Sequence, residues 1–262
     1  MSPSLRVYGK PPFHIAAIHG GPGAPGEMAP VARQLASAWG VLEPLQTAVS
    51  LEGQVEELRA TLEKHGELPI TLMGFSWGAW LSFILAAHYP ALVRKLILVG
   101  SGSFEEHYVA NMLEIRLARL SEPEQAEAKG LLQTFNNPAA GDKKSAFARL
   151  GALLSRADAF DPIPSPEEVI DFQVDVYEKV WEEAAELRRS GELLAHADRI
   201  HCPVLAIHGD HDPHDPEGVR VPLSRRLKDF RFILLEHCGH KPWAERHAKK
   251  KFYELLKNFI RV

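Results

Sequence analysis

The chain has 262 residues, 45% hydrophobic and 24% charged, with a net charge of −4. Such a composition supports a globular protein with one sizeable core and room for an inserted subdomain. It shows no basic patch and no apolar run long enough to span a membrane, so neither nucleic acid nor a membrane is an expected partner.

The first apolar strand is His14-Ile15-Ala16-Ala17-Ile18, which runs into the loop His19-Gly20-Gly21-Pro22-Gly23. Gly26 to Ala38 reads as a helix. Val41 to Leu45 reads as a short strand, and Pro44 predicts that it lies at an edge or ends early. Ser50, with Gly53 and Gln54, opens another helix that carries Val55, Leu58 and Leu62 on one face. Pro69 to Met73 is a short buried strand, and Trp77 to Tyr89 is a buried helix stopped by Pro90. Val93 to Val99 is again strand-like and ends at Gly100-Ser101-Gly102. This alternation predicts a mostly parallel α/β sheet covered by helices on both faces.

The alternation then stops. His107 to Leu120, Gln125 to Phe135 and Lys143 to Arg156 have helical spacing. A proline-rich joint, Asp161 to Pro166, precedes a longer helix from Glu167 to about Arg189. Its stripe of Ile170, Val174, Tyr177, Trp181 and Ala184 predicts packing against neighbouring helices. Strand and helix resume with Pro203 to Ile207, Glu217 to Lys228, Phe230 to Leu235 and Ala244 to Phe259. The expected organisation is a core of residues 1–102 and 197–262, with residues 103–196 inserted as a helical cap above the carboxyl ends of the strands. Lys249-Lys250-Lys251 reads as a solvated helix face.

The run Gly74-Phe75-Ser76-Trp77-Gly78 sits between a strand and a helix. Glycines two residues to either side of a serine allow the sharp turn that lifts a hydroxyl clear of a sheet. A lone hydroxyl is a weak nucleophile, so it needs a base, a carboxylate to orient that base, and N–H donors for the developing oxyanion. The base expected is His240, in the loop His237-Cys238-Gly239-His240, with His237 as local competitor. The acid is expected in His208 to Asp215, where Asp210, Asp212 and Asp215 compete. Asp212 is preferred because it lies past the Gly209 turn and Pro213 keeps it out of a helix. The spacing of this cluster matches neither a zinc His-Glu-x-x-His pair nor an EF-hand loop, so no metal is expected. The oxyanion donors expected are the backbone N–H groups of Trp77, at the start of its helix, and of Gly21, because Pro22 has none to give. No cofactor is needed for this chemistry.

The order Ser76, Asp212, His240 resembles the α/β-hydrolase superfamily over nearly the whole chain. The resemblance implies the α/β-hydrolase fold, with a cap inserted after the sixth strand of the family sheet. His19–Gly23 and Gly74–Gly78 together look most like the proline iminopeptidase branch, whose members carry an HGGPG loop and a GxSWG elbow and release N-terminal proline. The chain departs from that branch at Glu43 to Ser50, where those enzymes carry Asp-x-Arg-Gly-x-Gly-x-Ser. The branch also binds the substrate ammonium with cap glutamates, for which Glu105, Glu106, Glu182, Glu183 and Glu186 are available. Three activities are therefore carried forward: hydrolysis of a small ester, aminopeptidase cleavage of a short peptide, and reception of a small ligand with little turnover. Met1 to Arg6 lacks the apolar stretch of a secretory signal. Cys202 and Cys238 fall at opposite edges of the predicted sheet, so no disulfide is expected and a reduced, cytoplasmic compartment is.

Overall fold

The computed structural model describes residues 4–109, 111–136, 143–164 and 173–261. Its elements in chain order begin with β1 (Leu5–Tyr8), β2 (Phe13–Ile18), α1 (Ala29–Leu35), β3 (Gly40–Pro44) and α2 (Leu51–His65). There follow β4 (Ile70–Phe75), α3 (Trp77–His88) and β5 (Val93–Val99). A helical block holds α4 (Met112–Ala118), α5 (Glu122–Asn136), α6 (Lys143–Ala157), α7 (Val174–Ser190) and α8 (Glu192–Ala195). The chain closes with β6 (Val204–Gly209), α9 (Glu217–Arg226), β7 (Phe230–Leu235) and α10 (Lys249–Arg261).

The seven strands lie in the order β1-β3-β2-β4-β5-β6-β7. All neighbours are parallel except β1, which pairs antiparallel with β3 from Leu5↔Pro44 to Tyr8↔Val41. The sheet is therefore the α/β-hydrolase arrangement expected. Of the two outcomes expected from Pro44 the early end is the one found, because β3 stops at Pro44; it does not lie at an edge, since β1 covers it, and β1 is too short and too exposed to announce itself. Pro44 is tolerated as the last residue of β3, and the Leu45 N–H after it donates to Ser4 O at 2.9 Å.

The sheet is buried on both faces, as helix crossovers require. One apolar cluster includes Leu42, Leu72, Leu96, Phe83 and Trp80, and the other Ile15, Met73, Ile97, Phe252 and Leu256. Eleven of the 12 residues of α3 are buried, so it is the central helix rather than an amphipathic surface one. Ser50 caps α2 by accepting the Gly53 N–H at 3.1 Å.

Among the described residues, those between Val99 and Val204 form helices and short 3₁₀ turns, with one isolated bridge, Pro162 to Glu245, and no strand. The helix expected from His107 is broken by Asn111, at φ +74°, leaving only the short α4. Glu167 to Phe172 of the long helix expected lies outside the described residues. In α7 the fully buried line is Val176, Val180 and Ala184. Tyr177 and Trp181 flank that line rather than forming it. Trp181 stacks on Trp80 of α3 with ring centroids 5.8 Å apart. Cys202 and Cys238 are free thiols.

Candidate active site

The turn between β4 and α3 puts Ser76 in a conformation that only a constrained site holds. Its φ is +51° and ψ −117°, outside the regions a serine prefers. Packing enforces it. A Cβ on Gly74 would lie 2.0 Å from the Gly78 carbonyl oxygen, and one on Gly78 would lie 2.4 Å from that of His19. The Ser76 N–H donates to Val99 O at 2.9 Å, tying the turn to β5.

His240 sits in the loop after β7. Its Nδ1 lies 2.6 Å from Asp212 Oδ2, and its ring packs on Phe75, the residue before Ser76, with centroids 4.7 Å apart. Its backbone N–H donates to Asp158 O at 2.9 Å, so a residue at the end of α6 holds the loop. The three candidate carboxylates have separate places. Asp210 accepts the backbone N–H groups of His237 and Cys238, both at 3.0 Å, and shapes the loop. Asp215 accepts the N–H of Glu217 at 2.9 Å, at the start of α9. Asp212 alone of the three meets His240. His237 is exposed and contacts the rings of Phe160 and His247.

Asp212 is fully buried at its side chain. Burial would push its carboxyl up, but His240, His208 and His214 around it hold it well below the usual carboxylate range. An ionised carboxylate only accepts, so both imidazoles carry their proton on Nδ1. Asp212, His214 and His240 offer ligand atoms within 4.8 Å of one another. The 2.6 and 2.8 Å separations from Asp212 to the two Nδ1 atoms are hydrogen-bond lengths. Ligand atoms around a tetrahedral zinc ion would stand roughly 3.3 Å apart.

Ser76 and His240 open onto a cavity of about 600 Å³. Gly21 and Phe75 line it from the sheet side, and Arg116, Leu153 and Tyr177 from the helical block. Gly21, at φ +56°, is in the loop after β2. Trp77 is the first residue of α3, so its N–H has no partner within the helix. Burial keeps His19, at the root of the glycine loop, below its ordinary pKa and hence uncharged at neutral pH, while its Nδ1 lies 2.8 Å from Gly20 O.

None of the five glutamates considered for ammonium binding is among the described residues lining the cavity. Glu106 pairs with Arg188, Glu186 with Arg189, and Glu183 accepts the Leu51 N–H. Among the described residues, the acids on the cavity wall are Glu27, Asp158 and Glu245, and sequence reading passed over Glu27. It is paired with Lys241 at 2.8 Å. Burial works against its charge, but Lys241 brings its carboxyl below the ordinary value. Arg116, Asp158 and Glu245 were also missed. Arg116 holds Asp158 through two bonds of 2.7 Å. Glu245 accepts the N–H groups of Gly239, Phe160 and Asp161 at 2.8–3.0 Å. It was expected inside the last helix, whereas α10 starts only at Lys249. Of these, Lys241 had one usable signal, its place directly after the expected base.

A family model described as alpha/beta hydrolase fold matches residues 43–246. The chain belongs to that family. Relatives with assigned activities are distant. A bovine (Bos taurus) monoacylglycerol lipase ABHD6 is 27% identical over 222 residues, covering 81% of this chain and 61% of the lipase. This hydrolase-fold chain thus spans about three fifths of that relative. A pimeloyl-[acyl-carrier protein] methyl ester esterase of Neisseria meningitidis serogroup B is 24% identical, covering 84% of this chain and 76% of the esterase. Among solved structures, the proline iminopeptidase of Mycobacterium smegmatis superposes with a TM-score of 0.63 at 18% identity, over 98% of this chain and 93% of the other. Among the described residues, no helix is long and apolar enough to cross a membrane.

Proposed function

We propose that the protein is a serine hydrolase that cleaves a small ester through an acyl-enzyme on Ser76. The observation that carries this reading is the buried 2.6 Å contact of Asp212 with His240, whose ring packs against the residue preceding Ser76 on the wall of a shared cavity. Ser76 Oγ attacks the ester carbonyl carbon as His240 Nε2 takes its proton. Asp212 holds the ring and stabilises the imidazolium. The N–H groups of Gly21 and Trp77 receive the oxyanion. The alcohol leaves with the proton from His240, and water, deprotonated by the same ring, releases the acid. Residues 103–196 act as the cap, and the acyl or alcohol group lies against Leu153 and Tyr177. The ester-cleaving names of the lipase and esterase relatives favour this chemistry over amide cleavage.

The aminopeptidase reading keeps one support, the HGGPG and GFSWG loops at His19–Gly23 and Gly74–Gly78. The cavity weakens it, because the described acids on its wall are already engaged: Glu27 by Lys241, Asp158 by Arg116 and Glu245 by three backbone N–H groups. Parallel assays with short p-nitrophenyl esters and with proline p-nitroanilide separate the two. Turnover of the esters alone is expected. Turnover of the proline amide alone would overturn the ester assignment.

A further inference from the structure

One imidazole is enough to use the carboxylate of a hydrolase triad, yet Asp212 holds two. On Oδ1 it accepts both the backbone N–H of His214, at 3.0 Å, and the His214 ring at Nδ1, at 2.8 Å. On Oδ2 it accepts His240. The two rings lie over one another with centroids 4.9 Å apart and planes 29° from parallel. His208 in β6 holds the far side, its Nε2 3.0 Å from the His214 carbonyl oxygen.

Resting on the serine-hydrolase reading above, we propose that His214 is a positioning residue: its ring N–H fixes the second oxygen of Asp212 and so sets the direction and basicity of the carboxylate that His240 meets. Rotation about the last bond of an aspartate is soft, with broad minima. Two donors from one residue on Oδ1 leave Oδ2 a single orientation, towards His240. A donor on Oδ1 also draws charge away from Oδ2, and in a dry site that weakens the pull of the carboxylate on the imidazolium. The charged and titratable groups facing His214 are Asp212 and His208 from its own strand and loop, His240 from the loop after β7, and Arg116 from α4. Burial keeps His214 from protonating at its ordinary pH, against the opposite pull of Asp212. Of two stacked rings, His240 is then the one left to take the proton in catalysis.

The test compares His214→Leu, which fills the space without a donor, with His214→Asn, whose amide nitrogen stands near the position of Nδ1. His214→Ala replaces the leucine variant if that does not fold. With a p-nitrophenyl ester, loss of the donor is expected to lower kcat about tenfold at unchanged KM, the scale of one hydrogen bond to a charged group. The acid limb of the rate–pH profile is expected to move to higher pH. His214→Asn is expected to restore most of both. A parental acid limb in His214→Leu, or an asparagine variant no better than the leucine one, would overturn the proposal. The His240 titration followed by NMR in a Ser76→Ala background needs no turnover and should shift in the same direction on loss of the donor; an unmoved titration also overturns it. Absence of any Ser76-dependent ester turnover would remove the hydrolase reading, and the NMR titration would still decide the role of His214.

Discussion

Around the sheet, the central helix α3 buries eleven of its 12 residues, whereas none of the helices between Val99 and Val204 buries more than four among the described residues. The helical block has a small core of its own, built on Leu120, Ala128, Leu150, Leu153 and Ala157. Its attachment to the sheet is apolar where Val176, Val180, Ala184 and Leu193 join the larger cluster, and ion pairs tie its helices to one another. Arg116 holds Asp158, Arg149 holds Glu127 and Lys143 holds Glu178. Dense apolar packing fixes position closely, because a methylene displaced in a core is felt at once. Sparse packing joined by ion pairs lets a surface vary. In the proposed function the reacting groups stand on the first kind of structure and part of the substrate wall on the second, so that the sheet would set the chemistry and the helical block the choice of substrate.

Among the contacts between the two regions, the one from Asp158 to His240 is the most consequential. The Arg116–Asp158 pair is shielded, with side chains 15% and 8% exposed, and the Asp158 backbone oxygen receives the His240 N–H. Removing one partner of a buried pair leaves the other charged and unmatched. Arg116→Met is expected to destabilise the protein by about 3 kcal/mol in urea unfolding, with a fall in kcat through His240. Arg149→Met breaks an exposed pair and is expected to leave both unchanged. Equal effects from the two variants would mean that the ion pairs within the helical block are interchangeable.

A smaller effect is expected at the joint where the helical block returns to the sheet. His196 lies against His88, the last residue of α3, with ring centroids 5.0 Å apart. Burial first, then the charges of His88 and Arg199, lower its pKa from the ordinary 6.5 to about 4. The unfolded chain therefore binds this proton before the folded one does. Stability is full above pH 6.5 and falls as pH drops from 6.5 to 4. Thermal melts across that interval are expected to show a shallower decline in His196→Gln than in the parent. An unchanged slope would place the acid sensitivity elsewhere.

Legibility in the sequence followed the same division. The elbow, the glycine loop and the strands flanking them are local backbone constraints, so Gly74, Gly78 and the apolar runs announce them. Asp212 could be preferred over Asp210 and Asp215 because Gly209 and Pro213 restrict its surroundings. The long-range partners were silent. Nothing near Glu245 says that it will accept the N–H groups of the distant Phe160 and Asp161 as well as that of Gly239, and nothing near Glu27 says that it will meet Lys241. The interior place of β3 depended on β1, four residues with no alternating pattern. In α7 the stripe was offset because the helix turns Val176 and Val180, rather than Tyr177 and Trp181, fully inward. A half-buried ring and a buried valine one position apart cannot be told apart without the neighbour they pack on.

The central claim is that Ser76 is an activated nucleophile. A fluorophosphonate probe reacts only with a serine whose proton is taken by a base and whose adduct is held by oxyanion donors. Intact-mass measurement after incubation is expected to show one probe bound to the parent protein and none to Ser76→Ala. An unlabelled parent, or equal labelling of the two proteins, would contradict the account and favour a binding protein built on the hydrolase fold.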